Sequence, residues 1–419
     1  AAIYLQNGNG FSKKVFPSIV SDSIYEDASA VIADFNGDHQ NDLVIASGSG
    51  QYAADLVHRL YLGNGLTKSV FPNTNAMNAS VIKTIDYDKD GDLDLFIGNN
   101  SKSNSFGRMP DCYLFNNNKG VFSIVQSKTF EGIGMVTDAL VTDFNKDGSQ
   151  DVIVVGEWMK PKFFANTKGN FKEVTETVLP GNQNGLWQSI TSFDIDQDGD
   201  QDYLVGNWGM NSKFKSSQEF PMKMYYDDFD ANGTFETIVT IEKNGKYYTT
   251  MGLDELVEEF SGMLKKKFNT YKSFAGKTVD EIFDVKMLEK AALYEVYNLK
   301  SGYLRNDKGK FTFVPFSNKM QVSPITSFVK ADFDGDGKED VFVAGNYFGV
   351  SPYHSRFDGF SGALIKDQRT IYLGNQIGID LTQKAVRHLD IISLNGKKYL
   401  LVTINNKKAE VYELPMNKN

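Results

Sequence analysis

Six short stretches of the chain carry acidic or amide side chains at alternate positions. They read DFNGDHQND from residue 34, DYDKDGDLD from 86, DFNKDGSQD from 143, DIDQDGDQD from 194, DFDANGTFE from 228 and DFDGDGKED from 332. We call them boxes 1 to 6 and number the positions in each from 1 to 9. Like charges packed this closely repel one another, and clustered carboxylate oxygens without histidine or cysteine favour a hard cation such as calcium over transition metals.

The spacing matches the first half of an EF-hand loop, in which side chains at positions 1, 3 and 5, a turn glycine at 6 and the carbonyl at 7 surround calcium. We expect the acid at position 9 to return to the ion in place of the distant EF-hand glutamate. The predicted ligand positions are Asp34, Asn36, Asp38, Gln40, Asp42, Asp86, Asp88, Asp90, Asp92, Asp94, Asp143, Asn145, Asp147, Ser149, Asp151, Asp194, Asp196, Asp198, Asp200, Asp202, Asp228, Asp230, Asn232, Thr234, Glu236, Asp332, Asp334, Asp336, Lys338 and Asp340.

A single stretch of this kind is more often a solvated acidic turn, but six copies in one register favour calcium sites. The boxes are not equal. Boxes 2, 4 and 6 have a full set of acids, whereas box 1 has His39 in place of the turn glycine, and box 5 has Asn232 and Glu236. We therefore expect boxes 1 and 5 to bind most weakly. Half-EF-type sites fill at extracellular calcium levels, which favours a location outside the cytoplasm.

Strand-like runs flank the boxes and position them. A short β-like run precedes most boxes, an apolar run such as DLFIGN follows, and an aromatic strand and an N-x-x-G-x-F turn come next. Four short strands per unit with a period near fifty are typical of propeller blades. We predict an all-β fold over residues 1–419, a single β-propeller with seven blades. The seventh unit, residues 386–414, lacks an acidic box.

Two segments depart from this repeat. The N-terminal residues match only the outer half of a blade, so we expect the termini to complete one blade together or the N-terminal piece to belong to a blade upstream. Residues 251–297 are predicted to be a helical insertion within the fifth blade, because apolar residues from Leu253 to Phe268 follow helical spacing and Thr278 and Glu281 form a capping box. It is a packed decoration or a docking surface, and decoration is the simpler interpretation.

The boxes and their DLxIG strands resemble FG-GAP/VCBS repeats, known from calcium-loaded propellers such as integrin heads. The stretches VVGEWMKPKFFANTKGNFKEVT, GNWGMNSKFKSSQEFPMKMYYDDFDANG and LVEEFSGMLKKKF resemble the large FG-GAP/VCBS proteins of Gram-negative bacterial surfaces, which often also carry an ASPIC/UnbV module. We find no such module in this chain. The resemblance implies a cell-surface, outer-membrane or secreted binding protein, often lipid-anchored upstream, without accepted catalytic residues.

Composition excludes several classes of function. The chain has 419 residues, 41% hydrophobic and 23% charged, with a formal net charge of −9. This acidic balance disfavours a nucleic-acid partner, including the RNA-binding label that some relatives carry. Its one cysteine, Cys112, excludes an intrachain disulfide. No apolar run reaches the length of a membrane helix, and we read the start of the chain as processed or truncated.

We find no nucleophile elbow, P-loop, dinucleotide fingerprint or zinc-protease motif, and we therefore expect no enzyme. The four histidines, His39, His58, His354 and His388, lack ligand spacing. A glycosidase built on two carboxylates distant in sequence stays open.

Several aromatic and arginine residues fall in loops that follow the second strand of a blade. These loops should gather at one end of the propeller and form a recognition surface for sugar or protein. The residues are Arg108, Trp158, Trp208, Tyr347 and Arg356. The alternative is that each aromatic side chain caps its own blade.

Three functions remain: a calcium-stabilised protein-interaction or adhesion module in a surface assembly, a glycan-binding propeller, or a hydrolase. The partner is expected to be a protein or a glycan at the cell surface.

Overall fold

Antiparallel sheets of two to five strands make up the molecule. The computed structural model describes residues 2–8, 10–50, 52–74, 77–351 and 356–415, and the side chain of Ser261 is not described. The N-terminal elements are β1 Ile3–Asn7, β2 Gly10–Lys14 and helix α1 Pro17–Ser21. Strands β1 and β2 pair with each other.

Three successive sheets follow, which we call blades 1 to 3. Blade 1 is β3 Asp27–Ala33, β4 Asp42–Ser47, β5 Arg59–Leu62 and β6 Thr67–Ser69. Blade 2 is β7 Met77–Ile85, β8 Asp94–Lys102, β9 Tyr113–Asn118 and β10 Val121–Ile124. Blade 3 is β11 Met135–Thr142, β12 Asp151–Met159, β13 Lys162–Thr167 and β14 Asn170–Glu173, followed by helix α2 Thr175–Val178 and by β15 Gly185–Leu186, which pairs with β12.

Blade 4 is interrupted by a separate sheet. It begins with β16 Ser189–Phe193 and β17 Asp202–Gly206. The inserted module then comprises β18 Met222–Asp227, β19 Glu236–Lys243, β20 Lys246–Thr249, the helices α3 Leu253–Glu259, α4 Ser261–Lys267, α5 Tyr271–Phe274, α6 Val279–Ile282 and α7 Val285–Lys290, and β21 Ala292–Val296. The chain returns to blade 4 as β22 Gly302–Asn306 and β23 Phe311–Pro315, and β17 pairs with β22.

Two more sheets complete the described chain. Blade 5 is β24 Ile325–Ala331, β25 Asp340–Gly345, β26 Ala363–Ile365 and β27 Ile371–Leu373. Blade 6 is β28 Val386–Leu394, β29 Lys397–Ile404 and β30 Glu410–Glu413. Short 3-10 turns lie at Ala53–Asp55, Asn318–Met320 and Gly374–Gln376.

The first strand of each blade contacts the first strand of the next. Contacts join β3 to β7, β7 to β11, β11 to β16, β16 to β24 and β24 to β28. A separate apolar core fills each gap between successive blades, as where Phe96 of blade 2 and Val154 of blade 3 share one cluster. This arrangement confirms the predicted all-β propeller.

The predicted count of seven blades is not confirmed. Box 5 was assigned to a fifth blade of the ring, but it lies between β18 and β19, in a sheet inserted between the second and third strands of blade 4. Six blades remain in the succession of first-strand contacts over the described residues. Local sequence does not reveal this insertion, because β17 and its partner β22 are far apart in the chain.

The helical segment predicted at 251–297 forms the helices α3 to α7, whereas Ala292–Val296 is a strand. Its apolar residues Leu256, Phe260 and Leu264 are fully buried and pack on Phe229 and Ile238 of the inserted sheet. The helices thus have a core of their own. None of the described helices combines the length and apolar character that a membrane-spanning helix needs.

The chain termini do not share a sheet in the described residues. The amide of Gln6 in β1 donates a 3.0 Å hydrogen bond to the carbonyl of Ser393 in β28, but β1 is paired with β2 only and β30 with β29 only. The predicted blade built jointly from the two termini is therefore not formed by these residues.

Candidate metal centres

Each box forms the turn between the first and second strands of its sheet. Boxes 1 to 4 belong to blades 1 to 4, box 5 to the inserted module and box 6 to blade 5. The turns after first strands and those after second strands lie at opposite ends of the blades. The boxes of the blades therefore gather at one end, and the inserted module leaves from the other.

In boxes 1, 3, 4, 5 and 6 the acid at position 1 organises the turn by accepting backbone hydrogen bonds. In box 3, Asp143 accepts from the N–H of Asp147 at 3.0 Å and from that of Gly148 at 2.8 Å. Position 6 has a left-handed backbone, with φ of 83° at Gly148 and 64° at His39. Glycine adopts this conformation without strain, so box 1 is formed despite its histidine but at a conformational cost.

The side chain at position 5 accepts a backbone hydrogen bond within the turn. In every box its side-chain oxygen accepts the N–H of position 7, as from Ser149 to Asp147 at 2.8 Å and from Lys338 to Asp336 at 2.9 Å. The remaining position 7 donors are Gln40, Asp92, Asp200 and Thr234.

Three boxes bring the carboxylates of positions 1, 3 and 9 together. Each group offers oxygens that all lie within 4.8 Å of one another, and the groups are Asp86, Asp88 and Asp94 in box 2, Asp194, Asp196 and Asp202 in box 4, and Asp228, Asp230 and Glu236 in box 5. The acid of position 9 thus returns to the cluster, as the spacing predicts. The predicted acidic ligands at position 5 of boxes 2 and 4, Asp90 and Asp198, lie outside the groups.

Box 6 gathers Asp332, Asp334 and Asp336, without the position 9 acid Asp340. In boxes 1 and 3, position 3 is an asparagine, and its amide donates to the position 5 acid: Asn36 to Asp38 at 3.2 Å and Asn145 to Asp147 at 3.0 Å. The predicted weakness of box 5 stays a prediction, although its three carboxylates, like those of box 2, lie within 4.8 Å of one another.

The acids at position 9 are buried, and those of boxes 2, 3 and 4 tie the box to the third strand of the same blade. Asp151 accepts from the N–H of Phe144 at 3.2 Å and from that of Asn166 at 2.7 Å. Asp94 has the same two contacts, with Tyr87 and Asn117. Burial raises the pKa of Asp94 to about 7 and that of Asp151 to about 6, because desolvation outweighs the backbone hydrogen bonds.

An asparagine that our reading of the sequence left out of the site connects neighbouring boxes. The amide of Asn166, which is fully buried, donates to the carbonyl of Tyr87 in box 2 at 2.7 Å and to that of Gln150 in box 3 at 3.0 Å. Asn117 makes the same link between boxes 1 and 2, donating to the carbonyls of Phe35 and Leu93. The recurring N-x-x-G turn in the sequence could have indicated this asparagine, because the side-chain oxygen of Asn166 accepts the N–H of Gly169, the glycine of that turn.

The predicted recognition surface is wrong in part. Arg108 and Arg356 are exposed and Tyr347 is half-buried, but Trp158 and Trp208 are only 6% and 8% exposed. Both indoles lie in one apolar cluster whose buried members also include Met135, Leu186, Met222, Met224, Val296, Leu299 and Phe357. The inserted sheet, which contributes Met222, Met224 and Val296, buries this end of blades 3 and 4.

The described histidines have no metal-site geometry. His58 is buried, its Nδ1 accepts the N–H of Ser47 at 3.1 Å, and Nε2 lies 2.7 Å from the Thr74 hydroxyl. Desolvation lowers its pKa to about 4, so it is a neutral structural residue. The side chain of His39 is 98% exposed. His388 belongs to no metal-holding group among the described residues, and His354 lies outside them.

The repeat pattern of the first three boxes matches a known protein family. The model of the FG-GAP-like repeat matches residues 34–97, 86–154 and 143–205. A search of curated proteins found no match. The solved structure of the V. cholerae biofilm matrix protein Bap1 is similar at 11% identity and a TM-score of 0.39, over 92% of this chain and 76% of that one. That of BBS1N in complex with ARL6DN is similar at 10% identity and a TM-score of 0.35, over 94% of each chain.

The three matched segments begin at the first residues of boxes 1, 2 and 3 and end within the second strand of the following blade. The narrower resemblance to large bacterial surface proteins with an ASPIC/UnbV module stays a prediction. Residues 34–205 of this all-β propeller are FG-GAP-like repeats.

Proposed function

We propose that this protein is a calcium-stabilised adhesion or protein-interaction module that acts outside the cytoplasm. The observation that carries the proposal is the convergence of three carboxylates in each of boxes 2, 4 and 5. Calcium takes six to eight oxygen ligands, and a turn with three carboxylates, further side-chain oxygens and free carbonyls offers that chemistry.

The electrostatics of box 2 favour a bound cation. Burial raises the pKa of Asp94, and the neighbouring charges of Asp88 and Asp90 raise it further. A divalent ion offsets this repulsion and returns the buried carboxylate to its charged form. The free energy of binding is then available to the folded state only, which is how a structural metal stabilises a protein.

Calcium in one box stabilises more than its own turn. The ion would hold Asp94, Asp94 holds the backbone of Asn117, and Asn117 donates to the carbonyl of Phe35 in box 1. An ordered box therefore supports the contact between two blades. A rigid ring of this kind presents its loops in fixed positions, which is what a binding module requires.

Binding to the producing organism's own cells tests the function. The fluorescently labelled protein should bind these cells saturably in millimolar calcium and lose most of that binding in EGTA. The same cells treated with protease or with periodate then separate a protein partner from a glycan. Binding that does not saturate, or that is unchanged when the protein is denatured, would contradict an adhesion role.

A glycan-binding role is the second candidate, and one pocket favours it. A cavity of about 430 Å³ is lined by Phe348, Gly349, Arg356, Gln383, Asn405, Asn406 and Lys407. The Arg356 guanidinium lies 5.2 Å from the Phe348 ring centroid, and none of the described lining residues is acidic. Aromatic, amide and cationic groups together suit a carboxylated sugar. Equal binding of uronate and neutral oligosaccharides to the wild type and to Arg356→Ala would exclude it.

A further inference from the structure

A lysine side chain lies inside box 6. The ammonium of Lys366 is 2.6 Å from a carboxylate oxygen of Asp334 and 2.7 Å from one of Asp336. The Lys366 side chain is only 18% exposed, and that of Asp334 is 6% exposed. Both contacts have the length of charge-assisted hydrogen bonds. Two of the acids that the sequence assigns to calcium are thus paired with a cation of the chain itself.

Equivalent positions in other blades show that this place faces the box. Lys366 follows Ile365, which pairs with Val341, the residue after the position 9 acid of box 6. In blade 2 the same relation puts Asn116 after Phe115, which pairs with Leu95. The Asn116 amide lies 3.5 Å from the Asp88 carboxylate at position 3 of box 2.

The residue at this position differs from blade to blade. In blade 3 it is Ala165, and in blade 4 it is Arg305, whose guanidinium is bonded to Asp307 at 3.0 Å. Of blades 2 to 5, only blade 5 therefore has a cation at this position bonded to the acids of its own box, over the described residues. Box 6 also differs in its cluster, which lacks the position 9 acid.

We propose that box 6 is a metal-independent ion triad, in which the Lys366 ammonium replaces calcium as the counter-charge of Asp334 and Asp336. The inference rests on the proposed role of calcium in the other boxes. A lysine amine is protonated at physiological pH, so Lys366 brings a full positive charge to the two carboxylates. A calcium ion could reach these oxygens only after displacing a like charge tethered to the same site.

The triad fixes the third strand of blade 5 to box 6 without a metal ion. Lys366 directly follows the third strand, and the next residue but one, Gln368, donates its N–H to the carbonyl of Ile195 in box 4 at 2.9 Å. The lysine therefore fixes its strand to box 6 at the point where that strand meets blade 4. We expect this joint to hold at calcium concentrations that leave the other boxes empty.

Reciprocal substitutions test the exchange of lysine for metal. Lys366→Asn places beside box 6 the asparagine that faces box 2, and Asn116→Lys places beside box 2 the lysine that faces box 6. Calcium bound per chain is measured by titration calorimetry and by elemental analysis after dialysis. Lys366→Asn should bind one ion more than the wild type, and Asn116→Lys one ion fewer. Arg369→Asn removes an exposed cation three residues further along the chain, outside box 6, and should leave the count unchanged.

Thermal melting in EGTA gives a second readout that needs no metal. Lys366→Asn should melt below the wild type in EGTA and recover in calcium, whereas Arg369→Asn should not change. An unchanged ion count in Lys366→Asn, with one ion lost in Asp334→Asn, would overturn the triad while leaving the calcium role intact. A wild type that binds no calcium refutes the proposed function instead, and the triad then fails if Lys366→Asn melts like the wild type in EGTA.

Discussion

Replacing Asn166 with alanine tests how the boxes hold neighbouring blades together. The amide donates to the carbonyl of Tyr87 at 2.7 Å and to that of Gln150 at 3.0 Å, and the side-chain oxygen accepts the N–H of Gly169 at 2.9 Å. The residue is fully buried, so water does not replace these partners readily.

The magnitude follows from these three hydrogen bonds. A protein hydrogen bond contributes about 1 kcal/mol net, and a buried group left without its partner adds a penalty of about 1 kcal/mol or more. We expect Asn166→Ala to lower the free energy of unfolding by at least about 3 kcal/mol. The loss should appear in urea unfolding as a lower midpoint at an unchanged slope.

Asn170 is the matched control for this experiment. It lies in the same turn and is exposed, and its side-chain amide donates only to the carbonyl of Lys168 at 3.3 Å. Asn170→Ala should change stability by less than about 0.5 kcal/mol. Equal losses in the two variants would refute the role of Asn166, and hydrogen exchange should show the Asn166→Ala loss at the contact of blades 2 and 3.

Two further predictions concern the buried groups. In EGTA, the pKa of Asp94 is about 7 in the folded protein and near 3.8 in the unfolded chain, so its contribution to stability should fall as pH rises from about 4 to about 7. His58 contributes in the opposite direction, so the Asp94 contribution is isolated by melting Asp94→Asn and the wild type across this pH range. Equal pH profiles of the two proteins would contradict the prediction. Trp208→Ala should cost about 3–5 kcal/mol through the cavity it leaves under the inserted sheet, whereas the exposed Arg108→Ala should cost almost nothing, and similar melting temperatures would contradict the burial of Trp208.

Much of the repeat architecture could be predicted from the sequence because its signals are local. The box spacing, the strand that follows each box and the N-x-x-G turn all recur within a few residues of one another. The return of Asp94 and Asp202 to the clusters of boxes 2 and 4 also followed from spacing alone. These features depend on backbone geometry within one hairpin, which short sequence patterns encode.

What could not be predicted depends on contacts between distant segments. No local sequence pattern indicates that the chain leaves blade 4 after Gly206 and returns at Gly302. The sequence alone therefore places box 5 in a blade of the ring. The same insertion buries Trp158 and Trp208, which as isolated loop residues looked like a binding surface. Lys366 reaches Asp334 across the blade, a pairing that only the strand register discloses.

Calcium content and thermal melting of the same sample test the central claim most directly. The protein is purified without chelator and its bound calcium is counted, and it is then melted before and after EGTA treatment and after calcium is restored. We predict bound calcium in the purified protein, a lower melting temperature in EGTA and full recovery with calcium but not with equal magnesium. A protein without bound calcium whose melting temperature is the same in all three states would contradict the account.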